Sequence, residues 1–215
     1  MAFTIPPPRT PPDGGAAVAR WYEHELGWPV SAGPPVQLVT GLRFDVLELP
    51  ATVGRGVLRQ VGAATGPVAL MGRRMRLLVA AGGAEELPGL LDWLEWGGIS
   101  LDLAMLGTDG RMTAPVPPGW RPTGRSGSGA PGAAVWLRAP EPGREVESSL
   151  PALRPSSRRR STAEGGAPCL ARLVAVAAAE CHRARLLSAA RADRPEPVAG
   201  TGAQQRLTAQ RFASS

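Results

Sequence analysis

Apolar positions change period several times along the first two-thirds of the chain, and each change marks an element. From Gly14 to Leu26, Val18, Trp21 and Leu26 predict the buried side of a helix; Asp13 stands where an N-cap belongs and Gly27 where a helix stops. Trp28-Pro29-Val30 then begins an extended segment. From Leu42 to Leu49 the period falls to two, with Leu42, Phe44 and Val46 on one face and Arg43, Asp45 and Leu47 on the other, which predicts a strand. Val36–Val39 reads as a strand before it. Helical spacing returns at Ala51–Val61 through Val53, Val57, Leu58 and Val61, with Gly54 and Gly56 counting against a helix there. Pro67–Met71 and Arg74–Ala80 read as strands around a turn at Gly72. Leu87, Leu90, Leu91 and Leu94 form the stripe of a helix over Ala84–Trp96, which Gly97-Gly98 ends and in which Pro88 fits only the first turn. Ile99–Leu103 and Arg111–Ala114 read as a hairpin around Gly107-Thr108-Asp109-Gly110, and Ala134–Arg138 as a last strand.

This order predicts an α+β fold, a mixed or antiparallel sheet covered by helices, over residues 13–139. A proline-rich, disordered segment is expected at 1–12, and a disordered linker rich in Arg, Ser and Pro at 140–167. Residues 168–192 read as a tethered amphipathic helix opening at Pro168, and 193–215 as a disordered tail. Leu170, Leu173, Val174, Ala177 and Cys181 share the apolar stripe of that helix. Such spacing suits the anchors of a helix laid in a protein partner's groove, and it equally suits packing back on the chain's own domain.

Charge divides the chain in the same place. Residues 1–120 hold nine arginines and eleven acidic residues, whereas 121–215 hold fifteen arginines and seven acidic residues. Electrostatic affinity for nucleic acid is therefore expected in the second part. All 24 basic residues are arginine, a bias typical of a GC-rich genome, and the lack of lysine excludes a Walker-type phosphate loop, a Schiff-base enzyme and a lysine nucleophile. Cys169 and Cys181 are too few for a structural zinc site and read as core-facing free thiols of a reducing compartment. With neither a signal-like start nor an apolar run of spanning length, no membrane association and a cytoplasmic location are expected.

Four blocks, WYEHELGWPV, TGLRFDVLELP, GRRMRLLV and LDLAMLGTDGRMTAPVPPG, resemble in order those of the primase-polymerase domain of bifunctional replication enzymes, and the likeness spans roughly residues 16 to 138. That family transfers nucleotides with metal ions held by acidic residues at one edge of a sheet. Asp45 matches its first acidic position and Asp102 its third. The second falls on Leu47 and the family histidine on Met75, while Glu48 points to the opposite face unless a bulge intervenes. The resemblance thus implies a non-catalytic relative with a nucleotide-binding, nucleic-acid-binding or regulatory role. No cofactor is assigned, and magnesium or manganese on Asp45 and Asp102 is expected only if the ancestral site survives. The rival expectations are an active nucleotidyltransferase using Asp45 and Asp102 with Glu48 recruited by a bulge, and an interaction module acting through helix 168–192.

Arg73, Arg74 and Arg76 are candidates for holding a nucleotide or phosphate through bidentate contacts, although alternating arginines also suit a solvated strand face. Glu23, His24 and Glu25 are consecutive on a helix and diverge too far to share one ion. His182 beside Cys181 has the same geometry. The glycine-rich stretch 124–132 reads as a flexible connection, Ser157–Ser161 as a solubilising or nucleic-acid-contacting patch, and Trp93 and Trp96 as residues that close the core.

Overall fold

The structure, a computed structural model, describes residues 14–31, 33–62, 65–120, 133–153 and 169–192. The expected N-terminal segment, the Asp13 cap, the stretch 124–132, the cluster 157–161, Pro168 and the tail from 193 lie outside the described residues.

Alternation sets the centre of the fold. The elements in chain order are α1 (Gly14–Glu25), β1 (Val30–Ser31), β2 (Gln37–Val39), β3 (Phe44–Pro50), α2 (Ala51–Val61), β4 (Val68–Met71), β5 (Arg74–Ala80), α3 (Gly83–Trp93), β6 (Ala104–Leu106), β7 (Arg111–Thr113), β8 (Ala134–Arg138) and α4 (Leu170–Ala192). β3 and β5 pair antiparallel from Phe44↔Ala80 to Pro50↔Arg74 without a break, at the middle of a five-stranded antiparallel sheet ordered β6-β3-β5-β4-β8. Residues two apart share a face, so Leu47, Leu49, Met75, Leu77 and Val79 turn one way while Phe44, Val46 and Leu78 turn the other.

Each face is buried. The first packs under α2 through Val53, Val57 and Val61, under α3 through Leu87 and Leu90, and under α4. The second packs on Tyr22 of α1, Trp28, Leu38 of β2 and Met112 of β7, with Val146 and Leu150. The result is an α+β fold whose main sheet lies between a helical layer and a second layer made of α1 and the small antiparallel sheet β1-β2-β7. Tyr22 ties these parts: its hydroxyl donates to Pro115 O at 2.7 Å and accepts from Trp136 Nε1 at 2.9 Å.

Several expectations are corrected. Leu42 lies in the turn before β3, 67 % exposed, rather than on the buried face. β6 and β7 form no hairpin: β6 joins β3 in the large sheet and β7 joins β2 in the small one, so the turn at Gly107–Gly110 carries the chain between sheets. Gly41 packs directly against Thr108 of that turn, leaving no space for a side chain. Pro88 sits in the second turn of α3 rather than the first, with its ring exposed. Trp93 is 74 % exposed and closes no core.

The larger correction concerns the linker and the tethered helix. Residues 141–153 belong to the folded unit, since Val146, Leu150 and Pro151 are buried and Pro151 O accepts Ala80 N–H at 2.9 Å. α4 is not free: Leu170, Leu173, Val174, Ala177 and Cys181 are all buried in the cluster under α2 and α3. The stripe that suits a partner's groove is filled by the chain's own core, packed against α2 and α3.

Candidate functional site

The strand face that carries the first family positions is packed solid. Met75 lies at 0 % exposure under α2, and any side chain at Gly54 would collide with its sulfur and its Cβ. Leu47, between Asp45 and Leu49, is equally buried. The glycines that count against a helix in sequence are therefore what allows α2 to approach β5. Gly56 plays the same part against Glu180 of α4, whose carboxylate accepts from Gln60 at 2.7 Å and from Arg183 at 2.8 Å.

Asp45 is fully buried on this face. Its Oδ2 accepts the Ala84 N–H at 2.9 Å in the first turn of α3, where the helix macrodipole favours a negative group, and its Oδ1 has no partner. Burial pushes its pKa above the ordinary carboxylate value; the Ala84 amide opposes that rise and the nearby charge of Glu85 adds to it. Its role here is to fasten α3 to β3.

Asp102 lies elsewhere. It pairs with Arg74 at 2.6 Å, and Arg74 stands opposite Pro50, five residues along β3 from Asp45, about 17 Å by strand rise. Glu48 points to the face opposite Asp45, because the β3–β5 register has no bulge, and it binds Arg74 at 3.1 Å and Arg76 at 2.6 Å. Asp102, Arg74, Glu48 and Arg76 thus form one balanced chain of charges across β5, β3 and the segment before β6. Burial works against the charge on Arg74, and the hydrogen bonds and charges of Asp102 and Glu48 more than offset it, so its guanidinium titrates above its ordinary value.

The structure therefore brings Arg74, Arg76 and Asp102 together but leaves Asp45 apart. Arg74 and Arg76 are engaged by carboxylates instead of standing ready for phosphate, while Arg73 is exposed in the turn before β5. No group of three or more His, Cys, Asp or Glu suited to a metal ion occurs among the described residues. Asp45 and Asp102 do not converge, and Glu48 lies on the wrong face to join Asp45, so the donors present do not fit the two-metal arrangement that the resemblance implies. Glu23, His24 and Glu25 are exposed on α1, and His182 packs on Trp96 with ring centroids 5.5 Å apart.

Two features went unseen in the sequence. The outward sides of α2 and α4, which adjoin through Gln60 and Glu180, carry exposed Arg55, Arg59, Arg172, Arg183 and Arg191, with Glu180 the one acidic residue on either helix. α3 holds Glu85, Glu86 and Asp92 and no basic residue. The other feature is a cleft of about 610 Å³ where α4 passes the β3–α2 junction. The pairing of α2 with α4, invisible in a linear pattern, produces both. No helix among the described residues is long and apolar enough to cross a membrane. Comparison with protein-family models, with curated proteins and with solved structures gives no match to this chain.

Proposed function

We propose that this is a non-catalytic, primase-polymerase-like domain that binds the phosphate backbone of nucleic acid through α2 and α4. One observation carries the reading: these helices seal the strand face of Asp45, Leu47 and Met75 with their apolar sides and present five exposed arginines on their other sides. The sealed face leaves no room for a nucleotide over β3 and β5. Arg172 and Arg183 stand three turns apart on one line of α4, Arg183 paired with Glu180 through one nitrogen yet still 65 % exposed, and Arg55 and Arg59 one turn apart on α2, a spacing that tracks a backbone of repeating charge. Without a lysine or a base-reading element in view, the binding is electrostatic and indifferent to sequence.

The test is fluorescence anisotropy of the full chain with labelled single-stranded and duplex DNA over a salt series, beside a primer-extension assay with manganese or magnesium. Expected are binding that weakens steeply with salt and no extension. Replacing Arg55, Arg59, Arg172 and Arg183 with glutamine should flatten the salt dependence by up to about 3 to 4 on log–log axes. Extension above background would overturn the non-catalytic part. An unchanged affinity and slope in the fourfold variant would overturn the assignment to these helices.

A further inference from the structure

The stripe of α4 that runs through Val174, Ala177 and Cys181 continues as Ala184, Arg185 and Ser188. Past Cys181 it leaves the core, and its character changes from apolar to polar where it forms one wall of the 610 Å³ cleft. Thr52 and Val53 of α2 and the segment Ser100–Asp102 form the others. A cleft of this size accommodates a small metabolite.

Its charges select the class of ligand. Arg185 donates to Ser100 O at 2.9 Å through one nitrogen, which fixes the guanidinium and leaves further N–H groups to donate. Asp102 accepts from Arg74 through Oδ1 and keeps Oδ2 without a partner among the described residues. Although both line one cleft, Arg185 and Asp102 form no ion pair with each other; each is held by its own anchor. An anion would meet Arg185 but be repelled by Asp102, and a cation the reverse. An apolar ligand would strip water from both charges without replacing it.

We propose that the cleft binds a zwitterion of the α-amino acid class, its carboxylate on Arg185, its ammonium on Asp102 and its side chain against Val53, Leu101 and Ala184. This site shares no residue with the proposed nucleic-acid surface, and each stands or falls alone.

The experiment is thermal denaturation and calorimetric titration of the full chain with each of the common free L-amino acids, alongside the amide and the N-acetyl derivative of every one. A ligand that binds only the folded state raises the melting midpoint by mass action. At least one amino acid should do so saturably, with its amide and N-acetyl derivative weaker by about tenfold or more, since each lacks one of the two charges. Arg185→Met, at an exposed position, should abolish the response, Arg185→Lys should weaken it, and Asp102→Asn should weaken it while Glu48 still holds Arg74. Lack of response to every amino acid at millimolar concentration would overturn the proposal, as would equal responses to the amides or undiminished binding by Arg185→Met.

Discussion

Asp45 combines two opposed contributions at a single side chain. As an acceptor for the first turn of α3 it holds that helix, yet its charge is buried and one oxygen is unsatisfied. Because burial lifts its folded-state pKa above the ordinary 3.8, the group favours folding fully only below that ordinary value, and this contribution is lost as pH rises through the folded value. Asp45→Asn retains an oxygen for the Ala84 N–H and removes the charge. Calorimetry should therefore show a higher melting point for Asp45→Asn at pH 7, with the gap from wild type narrowing as the solution is acidified toward pH 4. A lower melting point at pH 7 would mean that attraction to the α3 N-terminus outweighs burial. At Gly54, helix propensity and packing disagree: Gly54→Ala adds about 1 kcal/mol of propensity, but the new methyl runs into the sulfur of the fully buried Met75 and crowds its Cβ and Cε. Overpacking of this kind costs about 1 to 3 kcal/mol, so urea denaturation should show Gly54→Ala to be less stable. In a Met75→Ala background, where the neighbour is short, Gly54→Ala should cost less, a coupling that the cycle with both single variants measures.

Between elements, α4 separates the two thiols. Cys169 is exposed just before the helix, whereas Cys181 is buried with its Sγ against Asp102 O at 3.4 Å. Burial, with Asp102 adding to it, pushes the Cys181 thiol up to about 11, so at neutral pH it is protonated as well as shielded. A thiol reagent should label one cysteine rapidly in the native protein and the second only on denaturation, with Cys169→Ser removing the fast phase. Two equally fast thiols would contradict the docked position of α4. The same elements show what the chain declares locally. β3, α2 and β5 follow from period alone, since each buries a face that repeats within its own length, whereas β8 buries only Ala134 and takes its place from pairing with β4. The partner of Asp45 does not, because the Ala84 amide comes 39 residues later, beyond α2, β4 and β5, and only the folded chain brings it near. Nor do the engagements of Arg74 and Arg76, which depend on the register that sets Glu48 opposite Arg76. The segment 141–153 misled by composition: its charged and small residues mask Val146 and Leu150, four apart, which suffice to hold it down.

At the scale of the molecule, the question is whether the sheet with α1–α3 forms a stable unit without α4. Leu170, Leu173 and Val174 are each at most 2 % exposed, and burying a side chain of this kind contributes about 1.5 to 3 kcal/mol. Three of them contribute roughly 5 to 9 kcal/mol, comparable with the entire net stability of an ordinary domain, about 5 to 15 kcal/mol. Removing the helix would also take its side of the core cluster away from α2 and leave Gln60 without Glu180. A chain ending at residue 153 should therefore lack a cooperative thermal transition, and Leu173→Ala in the full chain should lower stability by about 2 to 5 kcal/mol while keeping the fold. If the shortened chain melts at the wild-type temperature, α4 contributes little to the core and its apolar stripe is available to a partner after all. If it loses its transition, the second half of the sequence is no appendage: the helix that carries Arg172, Arg183 and Arg191 outward is also one that closes the core over the face of Leu47 and Met75.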